Sequence, residues 1–274
     1  MQAAATATMT RPQYIIEHME EDDPDAPSRF PHWALLEYRH MLTLVGQTEH
    51  GGTSTVHFTS LSNASIKDLE KELTTTASTS DSKRANFKLH TQSIETLMKE
   101  WNVPMSKICL LDPKAPLFLD VSDAGLYPAA SVDTTRKNDG PFDYFLFGGI
   151  LGDDPPRDRT GSLRTMGFPG RHLGKVQMTT DSALGVTKRV VEDGLHMALP
   201  ASEDAEALEM DSRGKGKLQW LDHPELKFGG GESVQMPFRY MVEDTSIDKK
   251  QWNPLMPPGM REHIRQDLDR AFEF

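Results

Sequence analysis

The sequence predicts an α/β fold, a mostly parallel sheet with helices on both faces. Three observations carry that prediction. Short apolar runs rich in Ile, Leu, Val and Phe recur along the 274 residues, as strands buried on both faces require. Segments of helical spacing alternate with them, which is the order of parallel strands joined by crossover helices. The composition, 37% hydrophobic and 26% charged, is that of a folded globular protein.

An Ala- and Thr-rich tail covers residues 1–12. Gln13 to Met19 (QYIIEHM) then reads as a buried strand closing in acid, and residues 20–31 as a loop marked by prolines and charges. From His32 to Gly46 the apolar Leu35, Tyr38, Leu42 and Val45 fall at helical spacing, with Gly46 as the stop. Residues 54–61 form a second strand. The Thr/Ser-rich residues 74–93 read as an irregular connection, followed by a helix at about 93–101. Residues 107–113 and 142–149 are the third and fourth strands. Residues 175–194 hold a brief strand and then a helix capped by Thr179, Thr180 or Asp181. Residues 198–217 contain few large apolar groups and read as a surface insertion. Edge strands are expected within 217–228 and 233–244, and a last helix near 258–272. The expected organisation is a tail (1–12), a core (13–195), an insertion (196–217) and a C-terminal part (218–274) that completes the domain.

The net charge of -11 argues against a duplex-binding protein, whose affinity rests on neutralising phosphates, and favours a small or basic partner. Cys109 is the only cysteine, which excludes an internal disulfide and a cysteine-rich zinc site. No run approaches the roughly 18 apolar residues of a membrane helix, and the first residues lack the apolar core of a signal peptide. A cytoplasmic protein is expected.

Parallel sheets bind ligands at the carboxyl ends of their strands. Here those ends carry Glu17, Glu20, Asp112, Pro113 and the segment FGGILGDDPPRDRT, residues 147–160. Gly148, Gly149 and Gly152 let the backbone turn and approach a ligand, while Ile150 and Leu151 are apolar. No G-x-G-x-x-G pattern is present, and GRHLGKV falls one residue short of a phosphate loop. Asp153, Asp154, Arg157, Asp158 and Arg159 read either as an oxygen-ligand cation site or as a self-paired loop. The arginines count against the cation. Asp22, Asp23 and Asp25 read as a solvated face, whereas Glu17 and Glu20 end an apolar strand at the ligand edge. No H-E-x-x-H or equivalent spacing occurs, so metal catalysis is not expected.

Five segments in order, YIIEHMEE (14–21), CLLDP (109–113), FDYFLFGGILGDDPPRDRT (142–160), RHLGKVQMTTDSA (171–183) and QMPFRY (235–240), resemble the fungal protein-arginine methyltransferases of the SPOUT class. The resemblance spans about residues 14–270 outside the two insertions. It implies a SPOUT-type sheet with a deep trefoil knot toward the C-terminal half, and S-adenosylmethionine bound between the knot loops. Those loops would supply Leu111, Asp112, Pro113, Phe147, Gly148, Gly149, Ile150, Leu151, Gly152, Leu173, Gln177, Met178 and Thr179. It further implies a monomer that methylates an arginine of a basic small-subunit ribosomal protein. Acidic residues would then receive the guanidinium, with Glu17 and Glu20 first, Asp153 and Asp158 next, and Arg157 ordering the loop. Two other readings are an RNA methyltransferase, the commoner work of the class but disfavoured by the charge, and a non-catalytic binder of a basic ribosomal protein.

Overall fold

The computed structural model describes residues 11–19, 22, 30–46, 54–76, 84–127, 139–149, 158, 160–197, 218–243 and 252–271. Its centre is a six-stranded, wholly parallel sheet. The strands are β1 (Gln13–Glu17), β2 (Thr55–Thr59), β3 (Asn86–Leu89), β4 (Ile108–Leu111), β5 (Tyr144–Gly148) and β6 (Gly170–Arg171). They lie in the order β3-β2-β1-β5-β4-β6. The helices are α1 (His32–Gly46), α2 (Asn63–Thr76), α3 (Ile94–Glu100), α4 (Gly161–Thr165), α5 (Thr180–Val191) and α6 (Met260–Ala271).

Alternation along β1 divides the core. Tyr14 and Ile16 join the larger cluster with Tyr38, Phe58, Leu184 and Val190, under α1, α2 and α5. Ile15 turns the other way, to Ile94, Ile108, Leu146 and Leu163 under α3 and α4. Helices on both faces are therefore needed to cover it, as expected. The thiol of Cys109 is fully buried, and that burial pushes its pKa well up.

Helix α1 packs against α5. A Cβ on Gly185 would stand 2.7 Å from Met241 Cε and 2.9 Å from Leu44 Cδ1, so those side-chain ends would have to shift to admit one. The last turn of α5 also carries a long-range tie to the start of the sheet. Glu192 accepts from Arg11 Nη1 at 2.7 Å, from the Tyr14 hydroxyl at 2.6 Å and from Ser54 Oγ at 3.0 Å.

The structure departs from the sequence reading in four places. Residues 63–76 are a helix, and β3 runs through the stretch read as an irregular connection. The short β6 and α4 were not anticipated. The brief strand expected within 175–194 is absent; Met178 makes only an isolated bridge to Arg239. The expected edge strands do not join the main sheet. Instead β7 (Trp220–Asp222) pairs with β10 (Arg239–Met241), and β8 (Glu225–Lys227) with β9 (Ser233–Gln235), as two separate antiparallel ribbons. Residues 198–217 lie outside the described ones.

Candidate functional site

The carboxyl ends of β4 and β5 open onto a cavity of ≈ 330 Å³, within the range that small-molecule sites occupy. Its apolar wall is Leu111, Phe147, Leu173, Val176 and Met178, all from strand ends or the segment leading into α5. Gly148 adds backbone without a side chain. Asp112, Lys114, Asp158, Thr160 and Arg164 make the polar side.

That polar side is an ordered charge cluster. Arg164 forks onto Asp112: Nη2 donates to Oδ1 at 2.8 Å, and Nε donates to Oδ2. It also donates to Asp158, Nη2 to Oδ1 at 3.0 Å and Nη1 to Oδ2 at 3.1 Å. Lys114 Nζ reaches Asp158 Oδ2 at 2.6 Å. Burial alone would raise the pKa of Asp112, but the Arg164 bonds and the Lys114 amide outweigh it and hold the carboxyl below its usual range. Asp158 is held lower still, chiefly by Arg164 and Lys114. Two carboxylates and two cations thus cancel at the rim.

Buried Arg171 (1% exposed) donates from Nε to Asp123 at 3.1 Å and lies over the Phe142 ring, fixing β6, from which the chain runs on to the cavity-lining Leu173. The start of α5 is tied to the exit of β5 by Thr180 Oγ1, which donates to the Gly149 carbonyl at 2.7 Å. The Gly149 amide in turn donates to the Glu17 carbonyl at 2.8 Å, and its φ of 61° lies in the left-handed region that favours glycine.

Of the residues read as cofactor-binding, Leu111, Asp112, Pro113, Phe147, Gly148, Leu173, Gln177 and Met178 line this cavity. Gly149 stands beside it. Thr179 lines a separate cavity against α1 and α6. Ile150, Leu151, Gly152, Asp153, Arg157 and Glu20 lie outside the described residues.

Glu17 differs from its expected place. It shares the face of Ile15, so its carboxylate points toward α3, away from the cavity. There it is 6% exposed, and it accepts from Ser60 Oγ at 2.5 Å and from the Ile94 amide, the first of α3, at 2.9 Å, with Thr59 Oγ1 as a third donor. A carboxylate so engaged caps a helix and is not open to a ligand. Sequence reasoning passed over Lys114, Thr160 and Arg164. The i, i+4 spacing of Thr160 and Arg164 beside the acidic loop was the available signal.

The chain matches the family model for SFM1-like protein arginine N-methyltransferases over residues 13–271. It is 33% identical over 265 residues to protein arginine N-methyltransferase SFM1 of Saccharomyces cerevisiae, covering 95% of this chain and 98% of that protein. Among solved structures, yeast arginine methyltransferase SFM1 complexed with SAM is similar at a TM-score of 0.63 and 30% identity, over 94% of this chain and 91% of that one. The same enzyme complexed with SAH gives 0.60 and 30%, over 92% and 94%. These likenesses agree with the parallel α/β fold expected from the sequence.

Proposed function

The chain belongs to the SFM1-like protein arginine N-methyltransferase family, and from that premise we propose that its acceptor is an arginine in a basic small-subunit ribosomal protein. It is an S-adenosylmethionine-dependent arginine methyltransferase, as its relatives' names and complexes indicate. The single observation that carries the reading to particular residues is the cavity at the ends of β4 and β5. The cofactor fits it on three counts: its volume, its apolar wall, and the bare backbone of Gly148 where a flat ligand must lie close.

When bound, S-adenosylmethionine supplies a methyl group activated on a sulfonium. The chain's own residues do the rest. Leu111, Phe147, Leu173 and Met178 exclude water around the adenosine, which strengthens every polar contact inside. Arg164, locked between Asp112 and Asp158, fixes the loops after β4 and β5 as one rim. Thr180 holds the start of α5 against Gly149, so the wall contributed by residues 176–178 is preset. Asp158 is already neutralised by Arg164 and Lys114. Glu20 and Asp153 remain proposals on their sequence position alone, and Arg157 remains the residue proposed to order its loop.

The net charge of -11 supports a basic protein as acceptor, since it steers cations and repels phosphates. No helix among the described residues is long and apolar enough to cross a membrane, and a cytoplasmic monomer is part of this proposal. So is the trefoil knot. It rests on the resemblance of the sequence segments alone.

The test is incubation with isotope-labelled S-adenosylmethionine and isolated small-subunit ribosomal proteins, read by mass spectrometry. A labelled arginine in one basic protein is the expected result. Label on RNA alone would replace this reading with the commoner one of the class. Calorimetric silence toward the cofactor would leave the non-catalytic binder.

A further inference from the structure

A methyl acceptor has to be held as firmly as the donor, and the carboxylates of the first cavity are already paired. A second cavity, ≈ 390 Å³, lies between α1, the start of α5, the residues leading into β10, and α6. Glu37 and Asp181 line it and are 3% and 1% exposed. His40 Nδ1 bonds one oxygen of Asp181, Oδ2, at 2.7 Å. The other, Oδ1, and Oε2 of Glu37 have no hydrogen-bond partner among the described residues. Buried acceptors with nothing to accept are costly and rare. Two of them, on two carboxylates lining one cavity, describe a place for a cation with several donors. Burial first, and then the charge of Asp181, push the Glu37 carboxyl well above its usual pKa, so an empty cavity favours its neutral form and an arriving cation would favour its carboxylate.

The walls narrow the choice of cation. Trp33, Met236, Phe238 and Tyr240 line the same cavity. Flat aromatic and thioether surfaces suit the faces of a guanidinium and its methylene stem. A planar fork with five donors can serve two separate carboxylates at once, whereas a lysine ammonium presents a compact, strongly hydrated charge.

We propose that this second cavity receives the acceptor arginine, its guanidinium held between Glu37 and Asp181. The proposal rests on the arginine-methylating reading above and names where in the fold that reading puts its acceptor. The two cavities share one short wall. Gln177, Met178 and Thr180 line the first, and Thr179 and Asp181 line the second. Donor and acceptor sites would therefore adjoin at the residues that begin α5, where the guanidinium nitrogen would have to contact the methyl past the edge of that wall.

The experiment titrates ethylguanidinium into the full-length ¹⁵N-labelled protein and follows the indole N–H signal of Trp33, assigned with a Trp33→Phe variant. Ethylammonium is the control. A saturable shift with ethylguanidinium is expected, at least tenfold weaker for ethylammonium and for Glu37→Gln or Asp181→Asn. Those variants should bind S-adenosylmethionine within about twofold of the parent, with the KM for the protein acceptor raised at least tenfold. A Trp33 signal indifferent to ethylguanidinium in the wild-type protein overturns the proposal. So does an equal response in folded variants. Should the variants not fold, inhibition kinetics decide: ethylguanidinium must compete with the acceptor protein, and competition with S-adenosylmethionine instead would overturn the site. Failure of the arginine-methylating reading looks different, because Trp33 would still respond while no arginine in any protein gained a methyl group.

Discussion

Replacing Arg164 with methionine keeps the length and apolar stem of the side chain and removes its fork. Asp158 loses two bonds, but it is 40% exposed and keeps Lys114 Nζ at 2.6 Å, so its share of the cost is small. Asp112 is the costly partner. It is 3% exposed and would keep only the Lys114 amide at 3.0 Å and Thr160 Oγ1 at 3.2 Å. Losing one bidentate, charge-assisted pair is worth about 1.5–3 kcal/mol. The upper values for fully buried pairs, about 3–5 kcal/mol, do not apply, because Arg164 itself is 33% exposed. For a chain of this size that corresponds to a melting temperature lower by very roughly 2–4 °C per kcal/mol. The pH dependence gives the sharper check. The folded pKa of Asp112 is depressed, so its stabilisation is present above the unfolded value, about 3.9, and fades as pH falls through the folded one. Urea unfolding of the parent and Arg164→Met should therefore differ at pH 7 and converge below about pH 4. Equal midpoints at pH 7, or a gap that persists unchanged at pH 3, would refute this account of the rim.

Gly149→Val forces a β-branched residue to a φ of 61° in the link between Glu17 and Thr180. Cofactor affinity by calorimetry should fall at least tenfold while circular dichroism still reports the fold, and unchanged affinity would remove Gly149 from the site. His57 is held neutral, its pKa lowered to about 3 by burial and then by His90 and Lys88. The stability it confers is complete above about pH 6.5 and is lost toward pH 3, at up to about 1.4 kcal/mol per pH unit. Urea midpoints of His57→Gln should decline less steeply over pH 6.5 to 4 than those of the parent, and parallel slopes would show that His57 titrates freely.

The large features were legible because they rest on local patterns. Helix α1 runs from His32 to Gly46, the limits its apolar spacing and terminal glycine mark. Ser93 caps α3 by accepting from the Thr96 amide, and Thr179 precedes α5, both within the segments read for them. What the sequence hides is which side of an element meets which neighbour. Glu17 ends β1 at the ligand edge, yet one residue of alternation turns its carboxylate to the opposite face. The four residues Leu35, Tyr38, Leu42 and Val45 read as a single buried stripe on α1, but α1 packs against α5 and α6 as well as the sheet. That second covering buries Glu37 and His40, which a one-sided stripe leaves to solvent. The ribbons β7–β10 and β8–β9 were read as edge strands because periodicity identifies a strand without naming its partner.

The tie between the N-terminal strand and Glu192 has a consequence for how the protein is made. The partners of Arg11 and Tyr14 stand 181 and 178 residues further along the chain. At the roughly 5–20 residues per second of protein synthesis, the first strand waits on the order of ten to forty seconds before the residue that fastens it exists. For most of that interval Tyr14 and Ile16, which end fully buried, lack a cover, since β5 begins only at Tyr144 and α5 only at Thr180. A chain cut before residue 192 would leave Arg11, Tyr14 and Ser54 without the carboxylate they share, so the order of synthesis leaves the fastening of the first strand until late.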